Sequence, residues 1–190
     1  MSLVELIAQA DERGLAASGL ACLDRCVPLL GGDDEVLRPL WASLSAGGGD
    51  WAGNLDKARG ALDAADEPES AEDDAALLAR RMLDTVPAEL SGAGVREWAD
   101  ACSAASLRIH RLLEPAEDAM DADDDWVEYH REGRTDGVSH LVAAELRRQV
   151  TVLELLAEHG AGGLRLALDV STEGRRVLRA VVSRRARGRV

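Results

Sequence analysis

The chain has 190 residues, of which 46% are hydrophobic and 30% are charged, and its formal net charge is −13. This composition is typical of one globular unit, and no apolar run approaches the ~18 residues that a membrane-spanning helix needs. The N-terminal sequence lacks the basic and apolar regions of an export signal, and the 3 cysteines do not suit a disulfide framework. We therefore expect a cytoplasmic protein.

Residue types that favour strands are scarce. Aromatic residues make up 3% of the chain and Phe is absent, whereas Ala and Leu are abundant. Arg outnumbers Lys so strongly that the codons of a high-GC genome account for part of the Ala content as well. Hydrophobic periodicity is therefore a better guide to structure here than composition.

The N-terminal half predicts a series of short helices separated by Gly, Pro or acidic turn residues. This pattern predicts an all-α fold, a single-domain irregular bundle of about eight to ten helices. A helical-hairpin array in this half is the alternative, although no repeat period lines up. The predicted short helices are residues 2–12, 15–30, 33–46, 51–65 and 69–85.

Two longer helices are predicted from apolar residues that recur every three or four positions. One covers residues 95–113, where Trp98, Cys102 and Ile109 belong to the apolar stripe. The other covers residues 136–159, with Gly160 as a natural stop. Since each has one apolar stripe, we expect these two helices to form the spine of the core.

The remaining segments give weaker signals. Residues 115–132 suit a helix, because Pro115 is compatible with a first turn and acidic side chains stabilise a helix N-terminus. Residues 164–170 alternate with period two but have no partner strand, so they are interpreted as helical or irregular. A last helix is predicted from residue 173. We expect a helical domain at residues 1–182 and an arginine-rich tail at 183–190.

Charge is divided unevenly along the chain. Seven of the 22 basic residues and none of the 35 acidic ones lie after residue 174, so the formal charge is −20 up to that point and +7 beyond it. The simplest interpretation is a terminus that folds back on the acidic body or extends into solvent. An acidic partner or an anionic membrane surface is the alternative. Nucleic acid is the weaker alternative, because the body repels it. The candidate contact residues are Arg175, Arg176, Arg179, Arg184, Arg185, Arg187 and Arg189.

Histidines and carboxylates in the second half allow a metal-binding alternative, with or without enzymatic activity. Helical bundles build metal sites from inward-facing side chains of this kind on neighbouring helices. The specific E-x-x-H and H-E-x-x-H motifs are absent, and a solvated acidic helix start is the simpler interpretation of the acidic run. The candidate ligands are His110, Glu114, Asp124, Glu128, His130 and His140.

Trp126 and Tyr129, three residues apart, predict a small aromatic face for a partner, since aromatic residues are frequent at binding hot spots. Core anchoring by Trp41, Trp51, Trp98 and Trp126 is the simpler interpretation, because a chain without Phe has few other large residues to fill its interior. The chain contains no nucleophile elbow or phosphate-binding loop, and we predict neither a catalytic residue nor a cofactor. The leading hypothesis is a non-catalytic protein-interaction or regulatory protein, whose protein partner and oligomeric state the sequence leaves undefined.

Overall fold

A computed structural model of the protein describes residues 1–62, 71–114 and 125–188. These ranges fold as helices joined by turns and contain no strand, which confirms the predicted all-α class. Within them, no helix combines the length and the apolar character that crossing a membrane requires. The α-helices are α1 (Leu3–Gln9), α2 (Glu12–Cys26), α3 (Arg38–Ser45), α4 (Trp51–Ala61), α5 (Ala71–Asp84), α6 (Gly92–Leu112), α7 (Trp126–Arg131), α8 (His140–His159) and α9 (Gly163–Arg187).

Helix α2 lies at the centre of the bundle and packs against α6, α8 and α9. All of its residues from 14 to 26 are buried, so it has no solvent-facing side over that length. Small residues permit this close packing: a Cβ atom at Gly19 would lie 2.6 Å from the Trp98 ring on α6. The two helices predicted as the spine of the core therefore pack around α2.

Helices α6 and α8 correspond to the two long predicted helices, and their apolar stripes are buried or partly buried. Helix α8 begins at His140 because the Ser139 hydroxyl accepts a hydrogen bond of 3.3 Å from the Val142 amide. It ends at Gly160, whose positive φ of 53° favours glycine. The buried stripe residues include Val95, Trp98, Cys102 and Ile109 on α6, and Val142, Leu153 and Leu156 on α8.

The segment after Gly160 forms one long helix. Helix α9 starts at Gly163, so residues 164–170 are helical and the start lies before the predicted one at residue 173. The apolar residues of this stretch divide between two faces, since Leu164 is buried whereas Leu166 is 39% exposed. The helix also continues across the predicted boundary between residues 182 and 183, as far as Arg187.

The other predicted helices are present but shorter. Residues 34–37 form turns, and α3 begins at Arg38 with Pro39 in its first turn, a position that suits proline. Helix α4 ends at Ala61 and α5 begins at Ala71, with residues 63–70 outside the described ranges. Helix α7 represents the end of the predicted helix 115–132, of which residues 115–124 also lie outside those ranges.

Three of the four tryptophans anchor the core, as one interpretation of the sequence predicts. Trp41, Trp51 and Trp98 are each 3% exposed. Trp126 is only partly buried and packs against a small second cluster of buried residues, Leu107, Val127 and Val142. The three buried indole N–H groups donate to the Asp24 carboxylate at 2.9 Å, the Pro87 carbonyl at 2.8 Å and the Met82 carbonyl at 2.9 Å.

Candidate partner-binding groove and buried ionic network

A groove of about 620 Å³ lies where the end of α6, the start of α8 and the C-terminal part of α9 meet. Most of its surface is apolar, and a few polar groups interrupt it. This size and lining are typical of binding sites in proteins. The apolar lining comes from Leu113, Val138, Leu141 and Val181, and the polar lining from Glu114, Ser139, His140, Arg184 and Arg185.

Hydrogen bonds fix the positions of the groove's walls. On one side, Arg185 of α9 donates to the carbonyl oxygens of Leu113 and Glu114 at 3.1 and 2.9 Å, where the chain leaves α6. Carbonyl groups at a helix C-terminus lack intrahelical donors and attract cations. On the other side, the cap of α8 by Ser139 fixes the first turn of that helix. The groove is therefore a built feature of the bundle.

A smaller cavity of about 40 Å³ extends the groove towards α7. Trp126 and His130 of α7 contribute to its lining, together with Arg111 of α6. The guanidinium carbon of Arg111 lies 4.7 Å from the centre of a Trp126 ring, a cation–π contact. The two cavities share four lining residues, which are Glu114, Gly137, Val138 and Ser139.

Tyr129, the other predicted aromatic contact, lies outside this lining. Its hydroxyl donates to the Asp136 carboxylate at 2.8 Å, and its ring meets that of His130 edge-on at 5.3 Å. Arg134 covers one face of the ring, with its guanidinium carbon 4.6 Å from the centre. The structure therefore places Trp126 on the groove and Tyr129 in a separate cluster beside it.

The candidate arginines near the C-terminus divide into two groups. Arg175 pairs with buried Asp24, Arg179 pairs with Asp34, and Arg185 binds the end of α6. These three side chains hold α9 against the body of the protein. The other three described members, Arg176, Arg184 and Arg187, are exposed and form no ion pair with a described residue. Arg189 lies outside the described ranges.

The candidate metal ligands are dispersed. Glu114 and His140 line the groove, whereas His110 is buried beside Glu145 and Glu128 pairs with Arg131 at 2.9 Å. His130 Nδ1 lies 2.8 Å from the Arg134 carbonyl oxygen. Asp124 lies outside the described ranges. Within those ranges, no three His, Cys, Asp or Glu side chains come close enough together to hold a metal ion.

A buried ionic network joins α2, α6 and α8. Arg25 and Glu145 are both fully buried, and the Arg25 Nε and Nη2 atoms donate to the two Glu145 oxygens at 2.9 and 2.6 Å. This two-bond geometry is the strongest arrangement of an arginine and a carboxylate. The Ser106 hydroxyl and the Gln149 amide also donate to Glu145 Oε1, at 2.8 and 2.9 Å. The carboxylate therefore has donors from all three helices.

The surroundings of the network shift the pKa values of Glu145 and His110. Burial by itself raises the pKa of Glu145, but the Arg25 charge, His110 and the hydrogen bonds outweigh it and bring that pKa to about 2. The pKa of His110 is lowered, because burial outweighs the attraction of Glu145. The His110 Nδ1 atom lies 2.7 Å from the Ser106 carbonyl oxygen, so the neutral ring holds its proton there.

A second buried pair joins α2 to α9. Arg175 pairs with the Asp24 carboxylate, which also accepts the Trp41 indole N–H. Burial raises the pKa of Asp24 even though Arg175 lowers it. Arg175 is among the contact residues predicted from the sequence, whereas Asp24, Arg25 and Glu145 are not. An isolated Glu or Arg carries no sequence signal of burial, and Arg25 and Glu145 are 120 residues apart.

No family model, curated protein or solved structure matches this chain. The geometry of the groove and of the ionic network is therefore the basis for assigning a function. The groove is the better candidate for a binding site, because it opens to solvent and several predicted site residues line it. They are Glu114, His140, Arg184 and Arg185. The network lies within the core, where its contacts connect helices.

Proposed function

We propose that this protein is a non-catalytic interaction protein that binds an acidic, partly apolar segment of a partner protein in the groove. The observation that carries this proposal is the combination of an apolar lining with Arg184 and Arg185 at one end. Apolar side chains of the segment would occupy the lining formed by Leu141 and Val181. Its carboxylates would face the arginines, whose planar groups suit carboxylates.

Arg184 is the main charge available to such a segment. It is exposed, and among the described residues no carboxylate pairs with it, whereas Arg185 already binds the end of α6. His140 is exposed on the α8 side of the groove and adds a polar contact. Trp126, at the far end, supplies the type of side chain that is frequent at binding hot spots.

The charge distribution favours a short acidic segment over nucleic acid. A nucleic acid strand extends beyond the groove and meets a body whose formal charge is −20 before residue 175. At physiological salt, screening limits the reach of surface charges to about 8 Å, so a segment confined to the groove is influenced mainly by the local arginines. Three of the candidate arginines are also occupied within the fold.

Fluorescence anisotropy with labelled peptides tests the proposal. A peptide in which glutamate alternates with leucine should bind saturably, and the matched lysine–leucine peptide should not compete for the groove. Arg184→Glu should weaken binding about tenfold, equivalent to ~1.4 kcal/mol. Arg176→Glu is the matched control, because it makes the same charge change at an exposed position of α9 that does not line the groove.

Two results would contradict the proposal. One is the absence of saturable binding by the acidic peptide at low salt. The other is an equal loss of affinity in both variants, which would show a general charge effect rather than a site. Tighter binding of a generic single-stranded DNA, lost in both variants, would favour the nucleic-acid alternative instead.

A further inference from the structure

Helix α9 has two repeats of alternating three- and four-residue steps, on different faces. The inner repeat packs against the body of the protein, and its buried members are Leu164, Ala167, Ser171, Gly174 and Leu178. The second repeat, here called the outer stripe, consists of Leu166, Val170, Glu173, Val177, Ala180 and Arg184. Steps of this kind align side chains along one seam, which is the pattern of helices that pair as a coiled coil.

Most of the outer stripe faces solvent. Leu166 is 39% exposed and Val177 is 36% exposed, Ala180 is also exposed, and Val170 is half-buried. Leu166 and Val177 are two of the four exposed large apolar side chains in the described part of the chain. One exposed apolar side chain is ordinary, but several at heptad spacing along one helix indicate a surface that another helix covers.

The charges on this side of α9 are sorted along the helix. Asp169 and Glu173 lie towards its start, Arg184 and Arg187 lie towards its end, and all four are exposed. The ion pairs that join α9 to the described body use Arg175 and Arg179 instead. The helix dipole favours acidic residues only within the first turn, so it does not account for Glu173.

We propose that the outer stripe is a homodimer interface, across which a second copy of the chain packs its own α9 in the antiparallel direction. A parallel pair would place acidic side chains beside acidic ones and arginines beside arginines. In an antiparallel pair with a two-fold axis near residues 178–179, Val177 meets the partner subunit's Ala180. Glu173 then faces the partner subunit's Arg184, so an apolar centre is flanked by one ion pair on each side.

The interface is small. Residues 169–187 of the two helices overlap over about 28 Å at 1.5 Å per residue. A single helix pair of this length lies below the ~1,200 Å² at which stable interfaces begin, so we expect a reversible dimer with a Kd of about 1–100 µM. Arg184 also lines the groove, so a second copy and an acidic segment would compete for this side chain. Dimerisation is measured without any peptide, which keeps its test separate from that of the groove.

Sedimentation velocity at concentrations on both sides of this Kd range tests the interface. The wild type should change from monomer to dimer as its concentration rises. Glu173→Arg should raise the Kd about tenfold or more, because it places arginine against arginine. Adding Arg184→Glu to the same chain exchanges the two charges and should restore the dimer. Glu97→Arg is the matched control, because it makes the same charge change at an exposed position of α6 and should leave the Kd unchanged.

The expected loss cannot come from general charge repulsion, because Glu173→Arg reduces the net negative charge of the chain. Circular dichroism establishes that each variant keeps its helical content. A wild type that stays monomeric at every concentration would overturn the proposal. So would a dimer that Glu173→Arg leaves unchanged, or a loss that the added Arg184→Glu does not reverse.

Discussion

The substitution Glu145→Gln should destabilise the protein strongly, because it leaves the fully buried Arg25 guanidinium without its counter-charge. Removing one partner of a buried ion pair costs about 3–5 kcal/mol. The pKa of Glu145 gives a similar figure: a fall from 4.5 to about 2, at ~1.4 kcal/mol for each pH unit, corresponds to about 3 kcal/mol. In a chain of this size, such losses lower the melting temperature by roughly 6–20 °C.

The pH dependence of this loss has a definite sign. The pKa of Glu145 is lower in the folded protein than in the unfolded chain, so its ionisation stabilises the fold above about pH 4.5. That contribution is lost as the pH falls from 4.5 towards 2. The difference in unfolding free energy between the wild type and Glu145→Gln should therefore be largest at neutral pH and should shrink over this range.

Urea unfolding followed by circular dichroism at several pH values measures both effects. The double variant Arg25→Met, Glu145→Leu provides the control, because replacing both partners by apolar residues removes the unpaired charge. It should be less destabilised than the sum of the two single variants. A loss below about 1 kcal/mol for Glu145→Gln at pH 7, or a pH-independent loss, would refute this description of the pair.

Two further predictions concern the packing of α2. Gly19→Ala should lower the unfolding free energy by about 1–3 kcal/mol, because its Cβ would lie 2.6 Å from the Trp98 ring. Gly60 is exposed on α4, and a Cβ added there would meet no neighbouring atom within 4 Å. Gly60→Ala should therefore be neutral or stabilising in the same thermal unfolding experiment. The reverse order of these two variants would contradict the proposed packing. The three buried thiols should react with a disulfide reagent only after denaturation, since burial raises the pKa of Cys22 to about 12 and also raises that of Cys26 and Cys102. Rapid labelling of the native protein would show that α2 or α6 opens readily.

Some helices could be predicted well and others only in part. Helices α6 and α8 have one buried face each, and this produces a periodic stripe that can be recognised in the sequence. Helix α2 is buried on all sides over residues 14–26, so its small and apolar residues show no preferred face. Its central position follows from close contacts such as the one between Gly19 and Trp98, and these depend on residues far apart in the chain.

The candidate site could also be predicted only in part from the sequence. The sequence identified Glu114, His140, Trp126, Arg184 and Arg185 as chemically interesting, and the structure brings them to one groove. Periodicity could not show that they belong together, because they come from four separate helices or helix ends. The predicted metal-ligand set includes two of the same side chains, Glu114 and His140, whereas His110 is buried and Glu128 pairs with Arg131.

By itself, the sequence determined the helical class, the two helices with an apolar stripe and the uneven charge, because each depends on local residue order. Only the tertiary structure decided which charges face solvent. Arg25 and Glu145 bind each other within the core, and Arg175 binds Asp24 from the opposite end of the chain. Burial of a charge depends on its partner, and partners separated by more than a hundred residues are selected by packing rather than by local sequence.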